Sequence, residues 1–363
     1  MTFYSRILFL LHDWTTTGEG FLKLLRTIRS FIDLSRITKQ TSSKTKRNLS
    51  NAYLRLSFTM SKTVTVLGAL GAQGGSVVTS LLEDDADFTI RAVTRSVDSD
   101  DAKALQAKEV QVVAGNTKQP ETLKDAFTGA DAAFIVVNFW DPEIMGKEEE
   151  LTKKILDVAK ECGVKHILYS SLANSEQVSG GKLKVPHFSM KAKAADYAKS
   201  LGFPYLTFVE PAMYYSNFFS MKPTEQDDGS LVWNLPAKGK ISAFDPNTGT
   251  GPATVVAIKD PETYNNQYLL LEADSLTPEE MVDMILKKMG KKGTYNYVEP
   301  KVFASFGFPG AEEIAEMFEW FTDYGYFGPE TVERKHSSGK AAAGGKLLSF
   351  QQWLDTEAYK KFF

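Results

Sequence analysis

Between residues 64 and 211 short apolar runs alternate with longer stretches in which apolar residues recur every three or four positions. Val64 to Leu67 is apolar and β-branched enough for a strand covered on both faces, and Val77, Val78, Leu81 and Leu82 then fall on one face of a helix. The rhythm repeats. Further strands are predicted at 87–95, 109–114, 132–137, 165–171 and 205–211, with a helix opening at Pro120-Glu121 and another over Glu148 to Glu161. His166, inside the fifth strand, reads as a packed core residue. Strands alternating with helices predict an α/β fold with a parallel sheet, whose ligands bind beyond the carboxyl ends of the strands.

That edge carries the polar residues. The first strand runs into Gly68-Ala-Leu-Gly71-Ala-Gln-Gly74-Gly75, where glycines let the backbone turn tightly and approach a ligand closely. The N–H groups opening the next helix suit a pyrophosphate. The spacing Gly-x-x-Gly-x-x-Gly differs from the Gly-x-Gly-x-x-Gly of many dinucleotide-binding turns, and any tight strand-to-helix turn can be glycine-rich. The second strand ends at Thr94-Arg95-Ser96 without a carboxylate. A carboxylate there would hold the adenosine ribose of NAD and repel a 2′-phosphate, whereas a guanidinium pairs with that phosphate, so NADP(H) is favoured over NAD(H). The alternative is an Arg95 solvated in a loop, or paired with Asp98, Asp100 or Asp101. Asn116, Asn138, Phe139, Ser170 and Ser171 complete the edge of a Rossmann-type doubly wound sheet.

Beyond Phe219 the pattern weakens. Leu231 to Leu235 and Gln267 to Leu271 are strand candidates, Thr277-Pro-Glu-Glu opens an amphipathic helix over Pro278 to Met289, and Ala311 to Phe321 suggests another. Ser337 to Gly345 is rich in Gly, Ala, Ser and Lys and is expected to be a mobile loop. The predicted organisation is a coenzyme-binding domain at 60–220 and a smaller, mostly helical lobe at 221–363 that takes a substrate or partner.

Composition adds three points. With 363 residues, 43% of them hydrophobic, the chain can bury a full core, and its single cysteine, Cys162, excludes an intrachain disulfide. Residues 1–59 hold ten Lys and Arg against three acids, while the remainder holds 32 against 42. That acidic body argues against direct nucleic-acid binding. The four histidines are scattered without metal-ligand spacing, so no metal is expected. Phe21, Leu24, Leu25, Ile28 and Ile32 recur at helical spacing among basic residues, which describes a mitochondrial presequence or a membrane-surface helix. Met60 stands directly before the first strand, so residues 1–59 could equally be a mis-assigned start or a disordered tail. No stretch is long enough for a transmembrane helix. The cytoplasm or nucleus is the expected location, or the mitochondrion if residues 1–59 are a presequence.

Several separated motifs resemble the NmrA-like family, an atypical branch of the short-chain dehydrogenase/reductase lineage. They are Gly-Ala-Leu-Gly-Ala-Gln-Gly-Gly-Ser-Val at 68–77, Arg-Ala-Val-Thr-Arg at 91–95, Val-Asn-Phe-Trp at 137–140, Tyr-Ser-Ser-Leu at 169–172 and Pro-His-Phe-Ser-Met-Lys at 186–191. Phe306-Gly-Phe-Pro-Gly-Ala311 with Glu316-Met-Phe318 is similar to the redox-sensing members. The resemblance runs from about Met60 to about Leu354. Two positions depart from it: Asn116 stands where an Asp is usual, and Leu70 replaces a Thr of the glycine turn. With the strand ends, it implies coenzyme contacts from Gly68, Leu70, Gly71, Gln73, Gly74, Arg95, Asn116, Asn138, Phe139, Lys191, Tyr214 and Asn217.

A reductase of this lineage normally sets a Tyr one helical turn before a Lys, as proton donor beside a cation. Here Lys191 is kept and His187 takes the donor position, either as a proton donor or only as the opening of a helix. Lys191 would hold the nicotinamide ribose and favour a developing oxyanion. Tyr214, in a loop that the resemblance places at the nicotinamide, is the replacement acid, or else interface packing. The resemblance implies a redox-sensing regulator that binds NADP(H) and a protein partner, with a homodimer also compatible. The alternatives are an NADPH-dependent reductase of a small carbonyl, quinone or related electrophile, and a structural module with a vestigial coenzyme site.

Overall fold

In a computed structural model of the chain, which describes residues 61–332 and 334–362, eight strands form one sheet in the order β14-β11-β6-β5-β4-β1-β2-β3. They are β1 (Lys62–Val66), β2 (Phe88–Thr94), β3 (Gln111–Ala114), β4 (Ala132–Ile135), β5 (His166–Ser170), β6 (Tyr205–Pro211), β11 (Gln267–Leu271) and β14 (Lys335–Ser338). Every pairing in it is parallel. The expectations for residues 1–59 lie outside the described residues.

Burial on both faces explains the apolar runs. Val64, Val66, Phe134 and Leu168 point into one core, which also takes Val77, Val78 and Leu81 of α1 (Ala72–Glu83) and Ala253 and Ala257 of α6 (Pro246–Lys259). Ala133, Ile135, Ile167 and Tyr169 point into the other, beneath Ile155 and Leu156 of α3 (Glu148–Glu161) and Ala194, Ala195 and Ala198 of α4 (Pro186–Ser200). This is the doubly wound arrangement. His166 is buried in β5 against the Thr207 hydroxyl at 2.9 Å, and desolvation holds its imidazole down at about 4. Helix α2 (Asp100–Gln106) follows β2, with Ser99 capping it through the N–H of Ala102.

Residues Ser61–Phe363 form one compact unit, and two strands from beyond residue 221, β11 and β14, extend its central sheet. The remaining elements pack beyond the carboxyl edge. They include α5 (Tyr215–Ser220), α7 (Pro278–Met289), α8 (Ala311–Tyr324) and α9 (Phe350–Asp355). Thr277 and Glu280 start α7 with a reciprocal capping box, as Thr-Pro-Glu-Glu predicts. The helical region also contains two small sheets: β7 (Met213–Tyr214) with β10 (Ile241–Phe244) and β12 (Asp274–Leu276), and β8 (Thr224–Glu225) with β9 (Leu231–Leu235) and β13 (Gly293–Tyr297). Alternate residues of β9 are buried, around a fully enclosed Trp233.

The stretch expected to be a mobile loop at 337–345 is instead ordered. Its first two residues close β14, Ser338 caps the one-turn helix Gly339–Ala342, and Gly339 packs where a Cβ would lie 2.6 Å from the Leu270 carbonyl oxygen. At Gly339 smallness serves close approach, while Gly344 and Gly345 adopt positive φ with open space around them. Strand β14 is also tied down electrostatically, because Arg334 at its start pairs with the wholly buried Glu210 of β6 and lies 5.0 Å from the Tyr268 ring.

Burial pushes the Glu210 carboxyl up to about 7, against the pull of Arg334. The folded state therefore holds this proton more tightly than the unfolded chain, and Glu210 makes stability fall as pH rises from about 4.5 to about 7. Denaturant midpoints across that window should show a shallower fall in Glu210→Gln than in the parent; equal slopes would contradict the assignment.

Candidate functional site

Strand order reverses direction between β1 and β4, so the connections leaving their carboxyl ends part in opposite directions and leave a crevice. Its volume is about 1010 Å³. One wall is the turn from β1 into α1. Gly68 adopts φ +64°, in the left-handed region, and its carbonyl accepts from the Gly71 N–H at 2.8 Å. Gly71 then precedes α1 directly. At Gly74 a Cβ would stand 2.2 Å from the Gly68 carbonyl oxygen, so only glycine lets the helix start so close to the strand. Leu70 is exposed at the rim, without the hydroxyl that a Thr would bring. Gln73 is buried in the same wall.

Arg95 stands where the crevice passes into an adjoining recess of about 660 Å³. Its side chain is 64% exposed and its ion pair with Asp141, at 3.9 Å, is loose. Asp141 is bound more closely by Lys118, at 3.2 Å, and lies below the ordinary carboxylate range because it accepts the Glu143 N–H and faces Lys118 and Arg95. The aspartates closest in sequence to Arg95 are not its partners. Asn116 lines the recess rather than the crevice, and its side-chain oxygen accepts from the Lys118 N–H at 3.0 Å. Asn138 lines the crevice with its oxygen on the Trp140 N–H at 3.2 Å, and Phe139 packs edge-on to Trp140.

The far end holds the charged residues. Helix α4 presents His187 and Lys191 one turn apart, both nearly enclosed. The Lys191 ammonium donates to the Val137 carbonyl at 3.0 Å and to the Glu148 carboxylate, which is fully buried at the start of α3. Burial pushes the Glu148 carboxyl up, while Lys191 draws it down. The second Glu148 oxygen has no hydrogen-bond partner among the described residues. His187 Nδ1 lies 2.6 Å from Glu313 of α8, and its ring stands 5.2 Å from that of Trp140. Tyr214 is half-buried at the crevice wall, where its hydroxyl accepts from Gln73 Nε2 at 2.8 Å and desolvation pushes the phenol up to about 12. Such a phenol stays protonated and can donate. Asn217, on α5, is exposed along the same crevice, and Ser170 contributes a buried hydroxyl with no hydrogen-bond partner among the described residues.

Thus Gly68, Leu70, Gly71, Gln73, Gly74, Arg95, Asn138, Phe139, His187, Lys191, Tyr214 and Asn217 line one crevice, and Asn116 stands beside it. Sequence reasoning missed Glu148 and Glu313, whereas Ile314, Met317 and Phe321, which helical spacing sets on one face of the helix suggested over Ala311 to Phe321, also line the crevice. Glu148 heads the run Glu148-Glu149-Glu150 and Glu313 follows Glu312, so both read as ordinary acidic first turns of helices. Among the described residues no group of three or more His, Cys, Asp or Glu could hold a metal ion, and no helix is long and apolar enough to cross a membrane.

A model of the NmrA-like family matches residues 60–359. Among curated proteins, an NmrA-like family domain-containing protein of Dictyostelium discoideum is 28% identical over 311 residues, covering 83% of this chain and 99% of its own. The NmrA-like family domain-containing oxidoreductase FrzB of Cladobotryum sp is 31% identical over 329 residues, covering 83% and 98%. Among solved structures, the negative transcriptional regulator NmrA in complex with NADP superposes with a TM-score of 0.68 at 23% identity, covering 83% of this chain and 96% of that one.

The buried pair suggests a stability experiment. Glu148→Leu strands the Lys191 ammonium and is expected to cost about 3–5 kcal/mol, while adding Lys191→Met removes the unpaired charge and restores most of the loss. Guanidinium unfolding of the two variants checks this; a single variant as stable as the parent would mean that Lys191 is not held by Glu148.

Proposed function

The chain belongs to the NmrA-like family, and from that premise we propose that it binds NADP(H) in the crevice between β1 and β4 and acts as a redox-responsive regulator with weak or no turnover. In this reading residues 60–220 carry the coenzyme and the lobe formed by 221–363 responds to it. The observation that carries the proposal is the composition of the crevice: Ile314, Met317 and Phe321 of α8 line it together with the glycine turn. A ligand filling the crevice must therefore touch an element of the lobe, and differential contact with two coenzyme forms is what regulation requires.

Each named residue has a role in the proposal. The open N–H groups at the start of α1 receive the pyrophosphate, with Gly68, Gly71 and Gly74 permitting its approach. Arg95 receives the 2′-phosphate, for which its weak hold on Asp141 leaves it available. Leu70, Gln73, Asn138, Phe139, Tyr214 and Asn217 flank the dinucleotide, and Asn116 stands at the adenine end, beside the recess. The engagement of Lys191 by Glu148 and Val137, together with the His at position 187, favours holding a coenzyme over rapid turnover.

A second reading, an NADPH-dependent reductase of a small carbonyl or quinone, is favoured by the His187–Glu313 pair, since an imidazole backed by a carboxylate can deliver a proton. The name oxidoreductase attached to FrzB accords with it. Lys191 and Tyr214 would then assist.

Two measurements follow. Arg95→Asp should lower the ratio of NADPH to NADH affinity by about 10-fold or more, the effect of losing a charge-assisted contact; an unchanged ratio in calorimetry would defeat the phosphate assignment. Aerobic NADPH oxidation against a panel of quinones and aldehydes separates the two readings. The regulator gives no saturable turnover, whereas turnover abolished in the Lys191→Met/Glu148→Leu double variant establishes the enzyme.

A further inference from the structure

Two cations and two carboxylates meet where the crevice passes into the recess. Arg95, at the carboxyl end of β2, and Lys118, in the connection after β3, line both spaces. Both approach the same atom, Asp141 Oδ2, with Lys118 Nζ at 3.2 Å and the Arg95 guanidinium at 3.9 Å. The other Asp141 oxygen accepts the Glu143 N–H at 3.0 Å, so the local backbone fixes where this carboxylate stands. Asp141 follows Asn138, Phe139 and Trp140 directly and belongs to the crevice wall. Glu143, the second partner of Lys118, lines the recess and is 73% exposed, whereas the Asp141 side chain is only 21% exposed. An acid at the end of β2 is what binds the ribose of an unphosphorylated coenzyme, and Thr94-Arg95-Ser96 has none. The fold brings one to the same place from 46 positions away.

We infer that Asp141 supplies across space the carboxylate that β2 lacks, and that Lys118 is the second cation of the phosphate subsite, so that these two residues set how strongly the protein prefers the phosphorylated coenzyme. The inference rests on the proposal that NADP(H) binds with its 2′-phosphate at Arg95. A phosphate monoester carries about two negative charges and three acceptor oxygens at neutral pH. Arg95 gives up little to engage it, because 3.9 Å is beyond hydrogen-bond distance. Lys118 has three N–H groups, two of them directed at Asp141 and Glu143, which leaves a third for the phosphate. The cost falls on Asp141, whose charge then faces a second anion at close quarters. NAD(H) meets no such repulsion. It presents a 2′-hydroxyl, which can donate to Asp141 Oδ2. One corner of the crevice thereby holds the partners of both coenzymes, and Asp141 tempers the preference that Arg95 and Lys118 create.

The experiment titrates NADPH and NADH into the full chain by calorimetry and reads the ratio of the two affinities, from which any loss of folded protein cancels. Asp141→Asn keeps the shape and removes the charge; it should tighten NADPH, weaken NADH and raise the ratio by about threefold or more, the scale of a partly exposed ionic contact. Lys118→Gln should weaken NADPH and lower the ratio by a similar factor. Asp228→Asn removes the same charge from the exposed turn between β8 and β9, where Asp228 accepts the Ser230 N–H, and should leave the ratio alone. A ratio unchanged or lowered in Asp141→Asn, one unchanged or raised in Lys118→Gln, or a rise in Asp228→Asn as large as that in Asp141→Asn overturns the inference. The coenzyme reading survives any of these if the parent binds NADPH and Arg95→Asp still lowers the ratio. A parent that binds neither coenzyme overturns both.

Discussion

Helix α1 can begin where it does because Gly74 has no side chain. A methyl group there would collide with the carbonyl oxygens of Gly68 and Leu67, at 2.2 and 2.8 Å, and the helix would have to retreat from the end of β1. The next layer repeats the device. Gly251 of α6 rests on α1 so closely that a Cβ would lie 2.1 Å from the Ser76 carbonyl oxygen, and its N–H instead bonds the Ser76 hydroxyl at 2.9 Å. Strand, first helix and second helix are thus stacked through positions without side chains. The amino end of α1 is thereby set against the carboxyl edge of the sheet, and the crevice inherits its depth from that constraint.

Much of this could be read from residue patterns, because the forces that make a parallel sheet are local and repetitive. Strands covered on both faces favour apolar runs, and β4, Ala-Ala-Phe-Ile, with Ile167 to Tyr169 of β5, advertise themselves in that way. Their carboxyl ends then converge by topology alone, which is why residues as distant as Gly68, Arg95, Asn138 and Lys191 are brought to one crevice. Partnerships that depend on tertiary distance are silent in the chain. Glu148 and Glu313 look like their solvated neighbours, and the partner of Arg95 turned out to be Asp141, 46 positions away, rather than an adjacent acid. In the Gly- and Ala-rich run after Ser337 the strand end and one-turn helix up to Ala342 were not legible, since at Gly339 smallness serves close packing.

Three enclosed acid–base contacts share one architectural property. Lys191 with Glu148 joins α4 to α3, His187 with Glu313 joins α4 to α8, and Arg334 with Glu210 joins β14 to β6. Apolar packing tolerates small slides between elements, whereas a desolvated ion pair penalises any arrangement that separates its members. Helix α4 carries two of the three. It is consequently indexed against both the sheet's own helix layer and the lobe, and the crevice walls on its two sides keep a common reference.

The outermost strand of the sheet, β14, is contributed by residues close to the end of the chain. Until it is made, β11 presents an open row of backbone donors and acceptors, and Glu210 has no guanidinium to face. Because β14 follows the other seven strands of its sheet in the chain, synthesis from the amino terminus supplies it after all of them. Until then that flank is an uncovered strand edge, the kind of surface on which unwanted pairing with another chain begins.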